Sequence, residues 1–157
     1  TFSTGSLINN GGFAFNSGTF NLTNDDLVID TGGLFGGFVQ FDYGQTVNVT
    51  NTTTVAAGSA LALNNSVFTS GMLNNNGQIL LNGFVSSLGG GIINNAGLLT
   101  GTGNVGATLN NASGEVRVTT GDELIFSGTG NFNNSQINLA GGTARFNEDL
   151  VNTIFGD

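Results

Sequence analysis

Carboxylates are the side chains in this sequence best suited to chemistry, and three of them lie close together. Asp25 and Asp26 are adjacent, and Asp30 follows four residues later. Carboxylate oxygens are the ligands that Ca²⁺ prefers, and paired carboxylates also cleave polysaccharides. A solvated corner before residues 27–29 explains the same pattern. If these three residues hold an ion, we predict Ca²⁺, although the calcium-binding repeat of secreted solenoids is missing.

The rest of the chain offers few groups for catalysis. It has no His, Lys or Cys, the residues on which most acid–base and nucleophilic sites depend. The run Gly101-Thr102-Gly103-Asn104-Val105-Gly106 matches a dinucleotide-binding glycine pattern, but that site needs a helix, and no helical period follows. We therefore expect no enzyme, no catalytic residue and no cofactor other than the calcium considered above.

The charge balance excludes two classes of partner. The net charge is −8, and the only cations are Arg117 and Arg145, which are expected to pair with Glu115 or Glu148. Nucleic acids and anionic membranes both require clustered Lys and Arg. No run approaches the roughly 20 apolar residues of a membrane span. Neither nucleic-acid binding nor membrane insertion is expected.

The elements that would position these residues are short strands. Asn, Thr, Ser and 27 Gly dominate the chain, and good helix formers are scarce. Apolar runs of three to five residues, such as 27–29, 38–41, 47–49 and 124–126, are bounded by Gly, Asn or Ser. This spacing is typical of many short strands joined by turns, and no helix is predicted.

One short pattern recurs along the chain: an apolar residue, two asparagines, a nearby glycine and a strand-like run. In the last four copies the first asparagines, Asn74, Asn94, Asn110 and Asn133, are 20, 16 and 23 residues apart. Earlier copies lie at 7–11 and, more weakly, at 63–65. A repeat of this length accommodates two or three strands per coil.

The repeat predicts that residues 1–157 form one all-β domain, a parallel β-solenoid. Stacked coils would explain asparagine ladders, Gly and Asn at left-handed corners, and the absence of Pro. Phenylalanines of the first half would stack as ladders in the core: Phe13, Phe15, Phe20, Phe35, Phe38 and Phe41. An antiparallel β-sandwich is the alternative, because Asn10-Gly11, Asn76-Gly77 and Asn82-Gly83 are hairpin signals.

Residues 91–142, which include the run Ile93-Asn94-Asn95-Ala96-Gly97, resemble the Asn/Gly-rich repeats of bacterial surface adhesins. Autotransporter passengers and filamentous-haemagglutinin-type exoproteins belong to this group. The likeness covers residues 71–152 well and residues 1–70 weakly. It implies a right-handed parallel β-helix displayed on the cell surface, but it transfers no functional residue.

The function expected from these features is structural or adhesive and extracellular. The chain lacks an initial Met, which indicates a processed protein or an excerpt. Neither residues 1–10 nor residues 149–157 contain a capping helix, so we expect a longer solenoid or head-to-tail self-association into a filament. The alternatives are a carbohydrate-binding β-sandwich that uses Tyr43 and, third, a β-helical polysaccharide lyase or hydrolase acting through Asp25 and Asp26.

Overall fold

The structure, a computed structural model, describes residues 1–8 and 13–153, which form strands joined by turns and contain no helix, as predicted. None of these residues forms a helix long and apolar enough to cross a bilayer. The sixteen strands are β1 (Phe2–Thr4), β2 (Gly18–Leu22), β3 (Leu27–Ile29), β4 (Phe38–Phe41), β5 (Gln45–Val55), β6 (Ala60–Asn64), β7 (Val67–Asn75), β8 (Gln78–Asn95), β9 (Leu98–Val105), β10 (Thr108–Asn111), β11 (Glu115–Thr119), β12 (Glu123–Phe126), β13 (Asn131–Asn133), β14 (Gln136–Ala140), β15 (Thr143–Phe146) and β16 (Leu150–Asn152).

The strands form a β-solenoid of about 7 turns with three faces. Face A contains β1, β2, β12 and β15 with residues 45–49, 67–70, 87–90 and 104–105. Face B contains β3, β10, β13 and β16 with residues 53–55, 72–75 and 92–95. Face C contains β4, β6, β11 and β14 with residues 78–82 and 98–102.

Every pairing between these strands is parallel, so the sandwich alternative is wrong. Among the described residues, the single antiparallel contact is the isolated bridge between Thr119 and Gly141. The Asn76-Gly77 and Asn82-Gly83 pairs lie at solenoid corners, not in hairpins. The third hairpin signal, Asn10-Gly11, and part of the 7–11 copy lie outside the described residues.

The strand register confirms the recurrent asparagines and corrects two of their alignments. Asn74 pairs with Asn94 and Asn94 with Asn110, but Asn110 pairs with Phe132, one residue before the predicted Asn133. The copy at 63–65 belongs to another corner, because Asn64 pairs with Asn82 on face C. The repeat is therefore a feature of face B.

A ladder of asparagines runs along face B and is buried except at its last member, Asn152, which is exposed. It begins at Asn75 and continues through Asn95, Asn111, Asn133 and Asn152, each Nδ2 donating to the next Oδ1 at 2.6–2.9 Å. The successive steps along the chain are 20, 16, 22 and 19 residues. These hydrogen bonds between side-chain amides satisfy polar groups whose burial in an apolar core would otherwise destabilise the fold.

Glycines with positive φ occur at corners as predicted, for example Gly44 and Gly58, but the glycines after the paired asparagines have a different cause. Gly77, Gly97 and Gly114 do not have positive φ, and Asn65 is the one described non-glycine residue that does. A Cβ on Gly97 would lie 2.1 Å from the carbonyl oxygen of Gly77, and a Cβ on Gly114 would lie 2.5 Å from that of Gly97. Glycine is needed here because adjacent coils approach too closely for a side chain.

The phenylalanines of the first half pack mainly edge to face, not as the predicted coil-to-coil ladder. Phe20 and Phe41 are fully buried. Phe13, Phe15 and Phe35 pack around them with ring centroids 5.2–6.1 Å apart. The prediction for Phe38 is wrong: it is 67% exposed, because strand alternation turns Val39 and Phe41 toward the core.

Candidate functional site

The corner where the chain passes from face C to face A carries exposed aromatic side chains. We call residues 40–45, 64–66 and 82–86, which come from three successive coils, the aromatic corner. Tyr43 is 82% exposed, Phe84 73% and Val85 61%. The other exposed large apolar residues that the structure describes are Phe2, Ile8, Val28, Phe38, Met72, Leu139 and Val151. The aromatic corner brings three such side chains from two coils to one corner of the solenoid.

The turn that presents Tyr43 is held by hydrogen bonds on both of its sides. Gly44 supplies a φ of 82°, and the N–H of Gln45 donates to the carbonyl of Asp42 at 3.0 Å. The buried Gln45 side chain accepts from the N–H of Asp42 and donates to the carbonyl of Phe15. These bonds fix the backbone, so the Tyr43 ring projects from a rigid support.

Two buried serines tie the coils of this corner together. The Ser66 hydroxyl donates to the carbonyl of Phe41, and the Ser86 hydroxyl donates to the carbonyl of Leu63, both at 2.8 Å. Ser86 also accepts from the backbone N–H of Asn65 at 2.9 Å. Each hydroxyl satisfies a carbonyl at a bend where regular pairing is interrupted.

Four polar side chains of the aromatic corner, Gln40, Asp42, Asn64 and Asn65, are connected by hydrogen bonds. Gln40 and Asn64 both donate to one carboxylate oxygen of Asp42, at 2.8 and 2.9 Å. These hydrogen bonds, that from Asn64 first, hold the pKa of Asp42 below its ordinary value, so the group is ionised at neutral pH. The Nδ2 of Asn65 in turn donates to the Oδ1 of Asn64 at 3.5 Å.

Phe84 projects because its coil is longer than its neighbours at this corner. Residues 83–86 lie opposite only residues 65–66 in the preceding coil and only Gly103 in the following one. Gly83 has a φ of 123°, and a Cβ there would collide with the Asn65 amide. The extra residues cannot join the stacked faces, so Phe84 and Val85 extend into solvent.

The predicted acidic residues lie elsewhere, near the N-terminal coils. Asp26 accepts from the backbone N–H of Thr52 at 3.0 Å, and Asp30 accepts from that of Gly32 at 2.8 Å. Asp25 and Asp26 border an open, mostly apolar cleft of about 180 Å³. Among the described residues no group of three carboxylates is placed to hold a metal. Calcium binding by these residues stays a prediction.

The two arginines lie on outward faces near the C-terminal end. Arg117 forms two hydrogen bonds with Glu115, at 2.8 and 2.6 Å, as predicted. Arg145 lies 3.9 Å from Glu123 instead of pairing with Glu115 or Glu148. Both pairs are partly solvated, so their contributions to stability are small.

From the sequence, Tyr43 was considered only within the β-sandwich alternative, and the residues that accompany Tyr43 at this corner were not indicated. Asn64 and Asn65 were interpreted as a copy of the repeat, and Asn82-Gly83 as a hairpin signal. The available signal was the extra length of residues 83–86, which becomes visible only once the coil register is known.

Comparisons with known proteins found no similar one. The chain matches no protein-family model, no curated protein sequence and no solved structure. The stacked coils and the aromatic corner are therefore interpreted from their own chemistry.

Proposed function

We propose that this chain is a non-catalytic structural and adhesive segment of an extracellular fibre, and that its solenoid stacks head to tail. The observation that carries this proposal is the inward column of face A, which begins and ends in stacked phenylalanine pairs. Phe2 stacks on Phe20 at 5.7 Å, and Phe126 stacks on Phe146 at 4.4 Å. A second copy placed on the first would continue this column.

The end strands of face A are compatible with such stacking. Within the described residues, β1 pairs only with β2, and β15 pairs only with β12, so each has one free edge. Free edges of this kind template pairing with another strand. If β15 pairs with β1 of the next copy in the register of the column, Phe146 lies against Phe2 of that copy, which is 43% exposed.

The surface and the composition support the structural, adhesive and extracellular parts of the proposal. The outward row of face B continues as a ladder from Asn74 through Asn94 to Asn110, with amide hydrogen bonds of 3.0 Å. Backbone pairing and such ladders both run along the axis and resist extension. The absence of His, Lys and Cys supports a non-catalytic role. The resemblance to adhesin repeats supports display outside the cell.

Assembly is tested by electron microscopy and light scattering of the purified chain. Phe2→Lys puts a charge at the free edge of β1 and should abolish filaments. Phe84→Lys introduces the same charge on an exposed phenylalanine at the side of the rod and should leave filaments intact. A monodisperse wild-type monomer at every concentration would contradict the proposal, as would filaments that survive Phe2→Lys.

A further inference from the structure

We infer that the aromatic corner binds a neutral, extended oligosaccharide that lies along the solenoid axis. The inference rests on the adhesive part of the proposed function and gives that role a ligand. Tyr43 and Phe84 project from the same corner two coils apart, which corresponds to about 10 Å along the axis. Two rings at this spacing can each stack on the flat face of a sugar, with alternate sugars of one chain contacting the two rings.

The polar groups of the corner can form hydrogen bonds with the hydroxyl groups of a sugar. Asp42, Asn64 and Asn65 form a connected row of carboxylate and amide groups in the two coils that join Tyr43 to Phe84. Sugar hydroxyls both donate and accept hydrogen bonds, so they suit a row that offers amide N–H donors and carbonyl or carboxylate acceptors. Binding sites commonly combine apolar surface with a few oriented polar groups in this way.

Charge selects among sugars. Asp42 is ionised at neutral pH, and the whole chain carries a net charge of −8. A uronic acid or sulfated chain would be repelled, and no described cation lies within the corner to offset this, since Arg117 and Arg145 pair with Glu115 and Glu123. The ligand class is therefore a neutral glycan, with sugars whose apolar faces are accessible on one side of the chain.

The two rings contribute little to folding, which makes them separable from the scaffold. At 82% and 73% exposure they bury little apolar surface, whereas Gln45, Ser66 and Ser86 hold the backbone of the corner. Burial of apolar area, not its presence, stabilises a fold. Tyr43→Ala and Phe84→Ala should therefore unfold at the wild-type temperature while losing the proposed contact surface.

The test is isothermal titration of the full chain with β-1,4-linked hexamers of glucose and of N-acetylglucosamine, and with a hexamer of galacturonic acid. We expect binding to at least one neutral hexamer, weakened at least about tenfold by Tyr43→Ala and by Phe84→Ala. Phe38→Ala removes a similarly exposed phenylalanine from β4 and should change nothing. Failure to bind either neutral hexamer, preference for the uronate, or equal binding by all variants would overturn the inference.

The same titration separates this inference from the proposed fibre. Phe2→Lys should lose filaments but bind the neutral hexamer as the wild type does, because Phe2 lies on face A at the end of the rod. Filaments without hexamer binding overturn the glycan site alone, and hexamer binding without wild-type filaments overturns the fibre alone.

Discussion

Asn75 and Val55 occupy equivalent positions in adjacent coils, and Asn75 is the first member of the asparagine ladder on face B. Asn75 donates to Asn95 at 2.7 Å and to the carbonyl of Leu98 at 3.1 Å. Its Oδ1 faces the preceding coil, where Val55 offers no donor, and it has no hydrogen-bond partner among the described residues. The ladder therefore has a costly first member and fully bonded interior members.

This asymmetry predicts that the cost of losing an asparagine depends on its place in the ladder. Asn75→Val removes one unbonded acceptor and creates another at Asn95, whereas Asn111→Val leaves Asn95 short of an acceptor and Asn133 short of a donor. Each buried unsatisfied group costs about 1–3 kcal/mol, so Asn111→Val should be the more destabilising by on the order of 2 kcal/mol. Urea denaturation measures the difference, and equal midpoints would contradict a directional ladder.

A second prediction concerns the close approach of the coils. Gly97→Ala places a methyl group 2.1 Å from the carbonyl oxygen of Gly77 and should destabilise the chain by about 3 kcal/mol. Gly106→Ala is the matched control: its nearest neighbour would lie 3.5 Å away and its φ is not positive, so stability should stay the same or rise by up to about 1 kcal/mol. Equal thermal unfolding midpoints for the two variants would show that the coils are not in contact there.

Acidification should weaken the outward face around Glu115. Hydrogen bonds from Arg117 and Asn138 hold the pKa of Glu115 below its ordinary value of 4.5. A lowered folded-state pKa stabilises the fold above the unfolded-state pKa, and this contribution disappears as the pH falls through the folded-state value. The midpoint difference between wild type and Glu115→Gln should therefore be largest near neutral pH and shrink below about pH 4.5.

Arg117→Gln provides the control for this titration. When Arg117 is replaced by glutamine, the difference in unfolding midpoint between Glu115 and a glutamine at that position should depend much less on pH. The reason is that the hydrogen bond from Arg117 is the largest cause of the lowered pKa of Glu115. A midpoint difference that stays constant from neutral to acidic pH would indicate that the pair does not act in the folded state.

The asparagine pairs made the fold predictable. Asn74-Asn75, Asn94-Asn95 and Asn110-Asn111 recur because one asparagine of each pair faces the core and the other faces solvent, so both faces of the strand carry ladders. Strand alternation then fixes the register, since a shift by one residue would exchange the two faces. The period and the parallel stacking follow from this pattern.

The details that were missed depend on distances between coils. Glycine at left-handed corners was predicted and occurs, for example at Gly44 and Gly58, but the requirement for Gly97 comes from the 2.1 Å approach to the neighbouring carbonyl, which the sequence does not indicate. Phe38 was assigned to the core with the other phenylalanines of the first half, but alternation along its strand places Val39 and Phe41 inward and Phe38 outward. The aromatic corner depends on coil length, which no local motif encodes.

Cysteine cross-linking tests the central claim, head-to-tail stacking through face A, most directly, because the chain contains no cysteine. Continuing the column puts Asn147 beside Ser3 of the next copy, with Cα atoms about 4.8 Å apart, within the range that a disulfide spans. The Ser3→Cys/Asn147→Cys variant should oxidise into a ladder of covalent oligomers, whereas Ser3→Cys/Val85→Cys, whose two cysteines do not face each other in the stack, should not form this ladder. The absence of oligomers larger than dimers in the first variant would contradict the account.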